Sequence, residues 1–178
     1  MTTASAFATL TPGIFHFLDA QLALLVSILL ARLRIKDFKA RHQDRRLITG
    51  SHDVERALQE RPNEVVVVFM SFDLGGPETP HLALKAQEVL ALSCSKGVPV
   101  AYPLSGADLA VGVGVRHAVS MVAIANPDGE EELLRLVMRR ASQMYRKYET
   151  VNQPVNQPVN QPCLRSYASL ESEENEWR

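Results

Sequence analysis

The run Val65-Val66-Val67-Val68-Phe69-Met70 constrains the fold more than any other stretch of the chain. Its β-branched residues show no polar alternation, so a strand built from them is apolar on both faces. Such a strand belongs in the middle of a sheet, with a helical layer over each side. A chain of 178 residues is long enough to bury that core in one domain with extensions.

Just ahead of this run, Ile48-Thr49-Gly50-Ser51-His52-Asp53-Val54-Glu55-Arg56-Ala57-Leu58 reads as a helix begun after a glycine turn. Ser51 is placed to cap it, and Asp53 and Glu55 sit in the first turns, where the helix dipole favours carboxylates. Val54, Ala57 and Leu58 form a narrow apolar face. His52, Asp53 and Arg56 fall on the other side, at the open end. Three side chains of different hydrogen-bonding character at a helix N-terminus suit an anionic ligand rich in polar edges. The plainer reading is a capped surface helix with solvated charges.

Met1–Pro12 is small and polar, a disordered start. Ile14–Ile35 is apolar with helical spacing, and Leu18, Leu22, Leu25, Leu29 and Leu33 fall on one stripe. Its uninterrupted part, Leu22–Ala31, is shorter than the ~20 residues needed to span a bilayer. No positive residue precedes it, and Asp19 and Gln21 interrupt the apolar stretch on its N-terminal side, so a secretory signal is not expected, with a signal-anchor or mitochondrial presequence as the minor alternative. The helix is expected to pack on its own domain or into a partner. A basic run follows at once: Arg32, Arg34, Lys36, Lys39, Arg41, Arg45 and Arg46 against Asp37 and Asp44. The formal net charge of −1 therefore hides a basic segment behind the acidic stretch Leu170–Arg178.

Beyond the apolar run, Asp73–Pro77 is a loop, Thr79-Pro80 opens a helix through Lys96, and Gly97 ends it. Val98–Tyr102 is a strand, and Ser105-Gly106-Ala107-Asp108 resembles a capping box opening a short helix. Val111–His117 reads as a glycine-bearing loop and Ala118–Ala125 as a strand. Pro127-Asp128-Gly129 turns into a last helix of about twenty residues, acidic at its start and basic towards its end, as the dipole prefers. The predicted fold is an α/β three-layer α-β-α sandwich around a small mixed four-stranded sheet, with an extra N-terminal helix. Val151–Pro162 is three copies of Val-Asn-Gln-Pro and reads as a linker. The predicted domains are a disordered start at 1–12, an apolar helix and basic segment at 13–46, the α-β-α domain at 47–150, and a disordered repeat and tail at 151–178.

No enzyme emerges from these residues. Gly112-Val113-Gly114 lacks the third glycine and the strand-to-helix setting of a dinucleotide fingerprint. The five histidines have no metal-ligand spacing, and no nucleophile elbow is present. Cys94 and Cys163 make no disulfide framework, and Cys94 is expected as a buried free thiol. No cofactor, metal or small-molecule substrate is expected, and the location expected is intracellular.

Three separated features coincide with one family. Gly50–Leu58 resembles the Gly-x-Asn-Glu-x-x-Lys signature of the L-seven-Ae superfamily of kink-turn RNA-binding proteins, which also includes ribosomal L-thirty-e and growth-arrest members. The strand ending at Asp73, the helix His81–Lys96 and Gly97-Val98-Pro99-Val100 resemble its strand-Asp, central helix and x-Val/Ile-Pro strand. Asp108-Leu109 through Ile124 is similar to its last loop and strand. The resemblance covers about Leu47–Ala125. It implies RNA contacts from Gly50, Ser51, His52, Asp53 and Arg56, with Gly50 allowing close backbone approach, and from Val115, Arg116 and His117 in the loop. The chain departs from the pattern at His52 and Asp53, which replace the amide and the longer acid, and at Ala110 and Ala118.

The resemblance implies a noncatalytic RNA-binding protein of a ribonucleoprotein particle, recognising a kink-turn-like element in a ribosomal, snoRNP or ribonuclease P/MRP setting. The apolar helix and basic run ahead of the motif resemble the layout of a Pop-three-type ribonuclease P/MRP subunit. Structured RNA is the expected partner, together with other ribonucleoprotein proteins docking through Ile14–Ile35. Arg32–Arg46 is expected to contact phosphate. The implied location is the nucleus, nucleolus or ribosome, ahead of the mitochondrion. The alternative is a protein-interaction member of the same fold, of the growth-arrest type, that does not read RNA.

Overall fold

The computed structural model of the protein describes residues 19–39, 45–74 and 80–152. Its elements are α1 (Ala20–Lys39), β1 (Leu47–Thr49), α2 (Ser51–Glu60), a 3-10 turn at Pro62–Glu64, β2 (Val67–Ser71), α3 (Pro80–Lys96), β3 (Val100–Leu104), α4 (Gly106–Val113), β4 (Met121–Ile124) and α5 (Glu131–Asn152). This is the order expected from the sequence. The expectations for the disordered start, for Leu18, for the residues just before Pro80 and for the acidic tail lie outside the described residues. So do the repeats beyond Asn152.

The sheet runs β1-β4-β2-β3. β4 is antiparallel to both β1 and β2, and β2 is parallel to β3. β2 is interior and buried at every position, as its apolar run requires. Its residues alternate between two cores. Val67 and Phe69 join a cluster with α1, α4 and α5, and Val68 and Met70 join a second with α2 and α3. The sheet is thus covered on both faces, and the fold is the three-layer sandwich expected.

Two strands start later than their sequence patterns suggest. Val98 donates its N–H to the Ser93 carbonyl at 2.9 Å and so closes α3, while Pro99 has no N–H to give. The β3 ladder therefore begins at Val100. Ala118–Ser120 leads into β4 as loop, because Val119 donates its N–H to the Gly106 carbonyl at 2.9 Å.

α1 is an integral layer of the domain. Leu22, Val26, Leu29, Leu30 and Leu33 are buried against the sheet, α4 and α5. Burying each such side chain stabilises the fold by about 1.5–3 kcal/mol. Polar contacts fix its ends. Asp19 accepts the Leu22 N–H at 2.8 Å and pairs with Arg140 of α5 at 2.5 Å. At the other end, Asp37 accepts the N–H groups of Arg46 and Leu47 at 2.8 and 3.0 Å.

Among the described residues of the basic run, Arg32, Lys36 and Arg46 find acidic partners within the fold. Glu130 pairs with Lys36 and Arg32 at 2.9 and 3.2 Å, and Arg46 pairs with Asp37 and Asp128. Cys94 corrects an expectation: it is half-buried and disulfide-bonded instead of a buried free thiol. The inward face of α3 carries Ala86, Val89 and Ser93, and Cys94 stands one position round from it.

Candidate nucleic-acid interface

Strand direction assembles the site. β1, β2 and β3 run one way and β4 runs against them, so Thr49, Ser71 and Leu104 all end at the edge where β4 begins. α2 and α4 start from that same edge. Clefts beyond the carboxyl ends of strands are where α/β sheets commonly hold ligands. Backbone bonds join this rim into one unit. Gly50 donates to Met121, Ser71 to Ser120 and Val119 to Gly106, each at 2.9 Å. Asp73 Oδ1 accepts the Gly106 N–H at 2.9 Å, the first donor of α4.

At the start of α2, Gly50 occupies the N-cap position with φ 94° and ψ 149°, a conformation open essentially to glycine alone. A Cβ built there would meet nothing within 4 Å, so the space above the backbone is open. Ser51 is the first helical residue, not the cap expected, and no side chain caps the helix. The reason is the Gly50 backbone, which turns the chain into the helix one residue earlier. The first closed helical bond runs from the Val54 N–H to the Gly50 carbonyl at 3.1 Å. The donors ahead of it are available to an anion, at the positive end of the helix dipole.

His52, Asp53 and Arg56 are exposed on this end, and Val54, Ala57 and Leu58 are buried. Arg56 donates to Asp53 Oδ1 at 3.1 Å, both side chains being more than half exposed. Glu55 faces the other way. It holds Lys85 of α3 at 2.5 Å, and together with Glu88 it raises the Lys85 ammonium above its ordinary range. Of the two acids in the first turns, only Asp53 is presented at the rim.

The loop before β4 is shorter than the sequence suggested. Val111–Val113 are still helical, and Gly114 ends α4 in the left-handed conformation. Gly114 donates to Ala110 and Val111, and Val115 donates to Ala110 at 3.0 Å, a Schellman motif. Val115 accordingly turns inward and packs against the core, half-buried. Arg116 and His117 are exposed. Gly112 serves a close helix crossing, since a Cβ there would lie 3.0 Å from the Leu30 side chain. Both glycines of the rejected fingerprint thus have structural roles.

Ser105 caps α4 as expected, its Oγ accepting the Asp108 N–H at 3.1 Å. Asp73 is the rim residue that the residue pattern alone left as an ordinary loop position. Its partner is 33 residues away, and no local signal carries that contact. Among the described residues, no group of three His, Cys, Asp or Glu is placed to hold a metal ion.

Arg34 of the basic segment lies against Gly114, whereas Lys36 and Arg46 lie elsewhere. Lys36 donates to the Asp128 carbonyl at 3.2 Å, beyond the C-terminal end of β4. That is the edge of the sheet opposite the rim.

No family model matches the chain, and no curated protein matches it. Among solved structures, a Bacillus halodurans protein of unknown function aligns with a TM-score of 0.48 at 22% identity, covering 65% of this chain and 97% of that one. A Giardia lamblia 15.5 kD RNA-binding protein aligns with a TM-score of 0.53 at 16% identity, covering 75% of this chain and 98% of that one. Over three quarters of its length, the chain has the fold of the Giardia protein.

Proposed function

We propose that the protein is a noncatalytic RNA-binding subunit of a ribonucleoprotein particle, reading a kink-turn-like element at the rim formed by α2 and the 114–118 loop. The observation that carries this reading is the start of α2. An uncapped helix N-terminus, a glycine with open space above it, and three exposed polar side chains stand beside a loop presenting Arg116 and His117. The likeness in fold to an RNA-binding protein supports it, as does the signature-like order of Gly50, Asp53 and Arg56.

In this reading the free N–H groups of α2 and the open Gly50 backbone receive a phosphate. Arg56 donates in bidentate fashion to guanine O6 and N7, and Asp53 accepts from the N–H groups of a guanine edge. His52 supplies one ring donor or acceptor, which is less than an amide offers. Arg116 and His117 support the loop side of the RNA. The particle is ribosomal, snoRNP or ribonuclease P/MRP in type, and its place is the nucleus, nucleolus or ribosome.

A second reading, a protein-interaction member of the same fold, is favoured by the Asp53–Arg56 pair, in which the two reading groups satisfy one another. Exposed pairs of this kind are worth only about 0–1 kcal/mol, whereas a bidentate guanine contact is worth about 1–3 kcal/mol. RNA wins that competition. A gel-shift titration with a kink-turn hairpin tests the assignment. Arg56→Ala should weaken binding by about 1–3 kcal/mol with the fold intact, and unchanged affinity would contradict the assignment.

A further inference from the structure

α1 is apolar on two opposite faces, and the core uses one of them. Leu22, Val26, Leu29 and Leu33 point inward. Diametrically opposite, Leu24, Ile28, Ile35 and Phe38 are 61%, 37%, 53% and 93% exposed. Single exposed apolar side chains need no explanation, but these four are not scattered. With the half-buried Ala31 they follow the spacing four, three, four, three along the helix. That is the heptad pattern of a helix–helix seam, with a small residue at its centre where two helices can approach closely. Helices apolar all round are normally buried, and α1 lies on the surface of this domain.

The borders of the seam identify its occupant. On one side stand Gln21 and Arg32, on the other Ser27 and Arg34. Arg32 shares Glu130 with Lys36, so three charged groups leave a net positive charge, and Arg34 donates to the Val111 carbonyl. None of these four border positions is a carboxylate. We propose that the outer face of α1 docks an amphipathic α-helix of another protein, with an apolar heptad seam bordered by acidic residues. Charge complementarity selects that helix.

A second copy of this chain fits less well. Antiparallel pairing sets Arg32 against Arg32 and Arg34 against Arg34, and parallel pairing brings no carboxylate to either border. A membrane surface fits less well too. An interfacial helix needs a broad apolar face, and this seam is narrow, closed by polar residues on both sides. Arg34 at the seam's border lies against Gly114 of the rim's loop, but the helix-binding test and the RNA titration use different ligands, so failure of one reading is distinguishable from failure of the other.

The test uses the full chain and two labelled synthetic helices of about four heptads, with Leu and Ile at the seam and either Glu or Lys at the borders. By fluorescence anisotropy, the Glu-bordered helix should bind about tenfold tighter or better than the Lys-bordered one. Ile35→Glu should abolish that binding without lowering the thermal midpoint, because the side chain faces solvent. Arg34→Glu should shrink or reverse the preference between the two helices. Binding of neither helix, or equal binding of both, overturns the proposal. So does sedimentation of the chain as a dimer that Ile35→Glu dissociates. Flotation with phosphatidylserine-containing vesicles that the same variant prevents would overturn it equally.

Discussion

Gly50 donates its N–H to the carbonyl of Met121 over 2.9 Å, and this bond fixes the start of α2 to the start of β4. Because β4 begins at the edge where the other three strands end, the bond holds the two parts of the rim together. It also explains why a glycine stands there. The chain must leave β1, give its N–H to β4 and enter a helix within one residue, which it does at φ 94°.

Gly50→Ala should therefore destabilise the fold by about 1–3 kcal/mol through backbone strain alone, since the added methyl meets open space. Urea unfolding should show a lower midpoint with an unchanged slope. An unchanged midpoint would mean that the alanine backbone adopts this conformation without strain.

Asp37 binds two successive backbone N–H groups and lies beside Arg46, whose side chain is mostly buried. Asp37→Ala strands those donors at the entry to β1 and should cost about 2–3 kcal/mol. Asp128→Ala removes the other partner of Arg46. That carboxylate is 69% exposed, so the loss should stay below about 1 kcal/mol. Equal effects of the two variants would contradict the account of this corner.

The carboxyls of Asp19 and Glu130 are held below their ordinary ranges, Asp19 chiefly by its hydrogen bond to Arg140 and Glu130 by that to Lys36. A carboxyl whose pKa is lower folded than unfolded contributes stability above its unfolded pKa. The contribution is lost as pH falls through the folded value. Urea midpoints should accordingly decline as pH drops below about 5, and Asp19→Asn should flatten part of that decline. A variant with the same acid dependence as the parent would show that the α1–α5 clasp is not a source of it.

Much of this architecture was legible in the sequence because burial leaves a pattern. The apolar run at Val65–Met70 required a central strand, and Val54, Ala57 and Leu58 required one buried helix face. Ser105 and Asp108 carry their cap in adjacent side chains. What stayed hidden depends on the path of the backbone or on distant partners. Ser51 has the right side chain for a cap, but the dihedral angles of Gly50 decide where the helix starts. Val115 reads like a presented loop residue, and the Schellman turn at Gly114 draws it inward. Arg32, Lys36 and Arg46 meet Glu130, Asp37 and Asp128, and only the folded chain brings the more distant of these acids, Glu130 and Asp128, to the basic run. In α1, leucine and isoleucine occur on both faces, so composition could not say which face is core.

Arg116 is exposed at the rim and supports the loop side of the RNA in the proposed reading, where a phosphate contact is its expected role. Arg116→Ala should weaken binding of RNA about equally across sequences and reduce the slope of log affinity against log salt by about 1. Its folding stability should remain within about 0.5 kcal/mol of the parent. A sequence-selective loss with no change in slope would move Arg116 from phosphate to base contact.

The central claim is that this rim reads a kinked RNA. Its most direct test is an equilibrium titration of the full chain with a kink-turn hairpin and with a straight duplex of equal length, at near-physiological salt. The account predicts at least about tenfold tighter binding to the hairpin, because base-edge contacts add to the phosphate attraction common to both. Equal affinity for the two RNAs, or binding to neither, would contradict it.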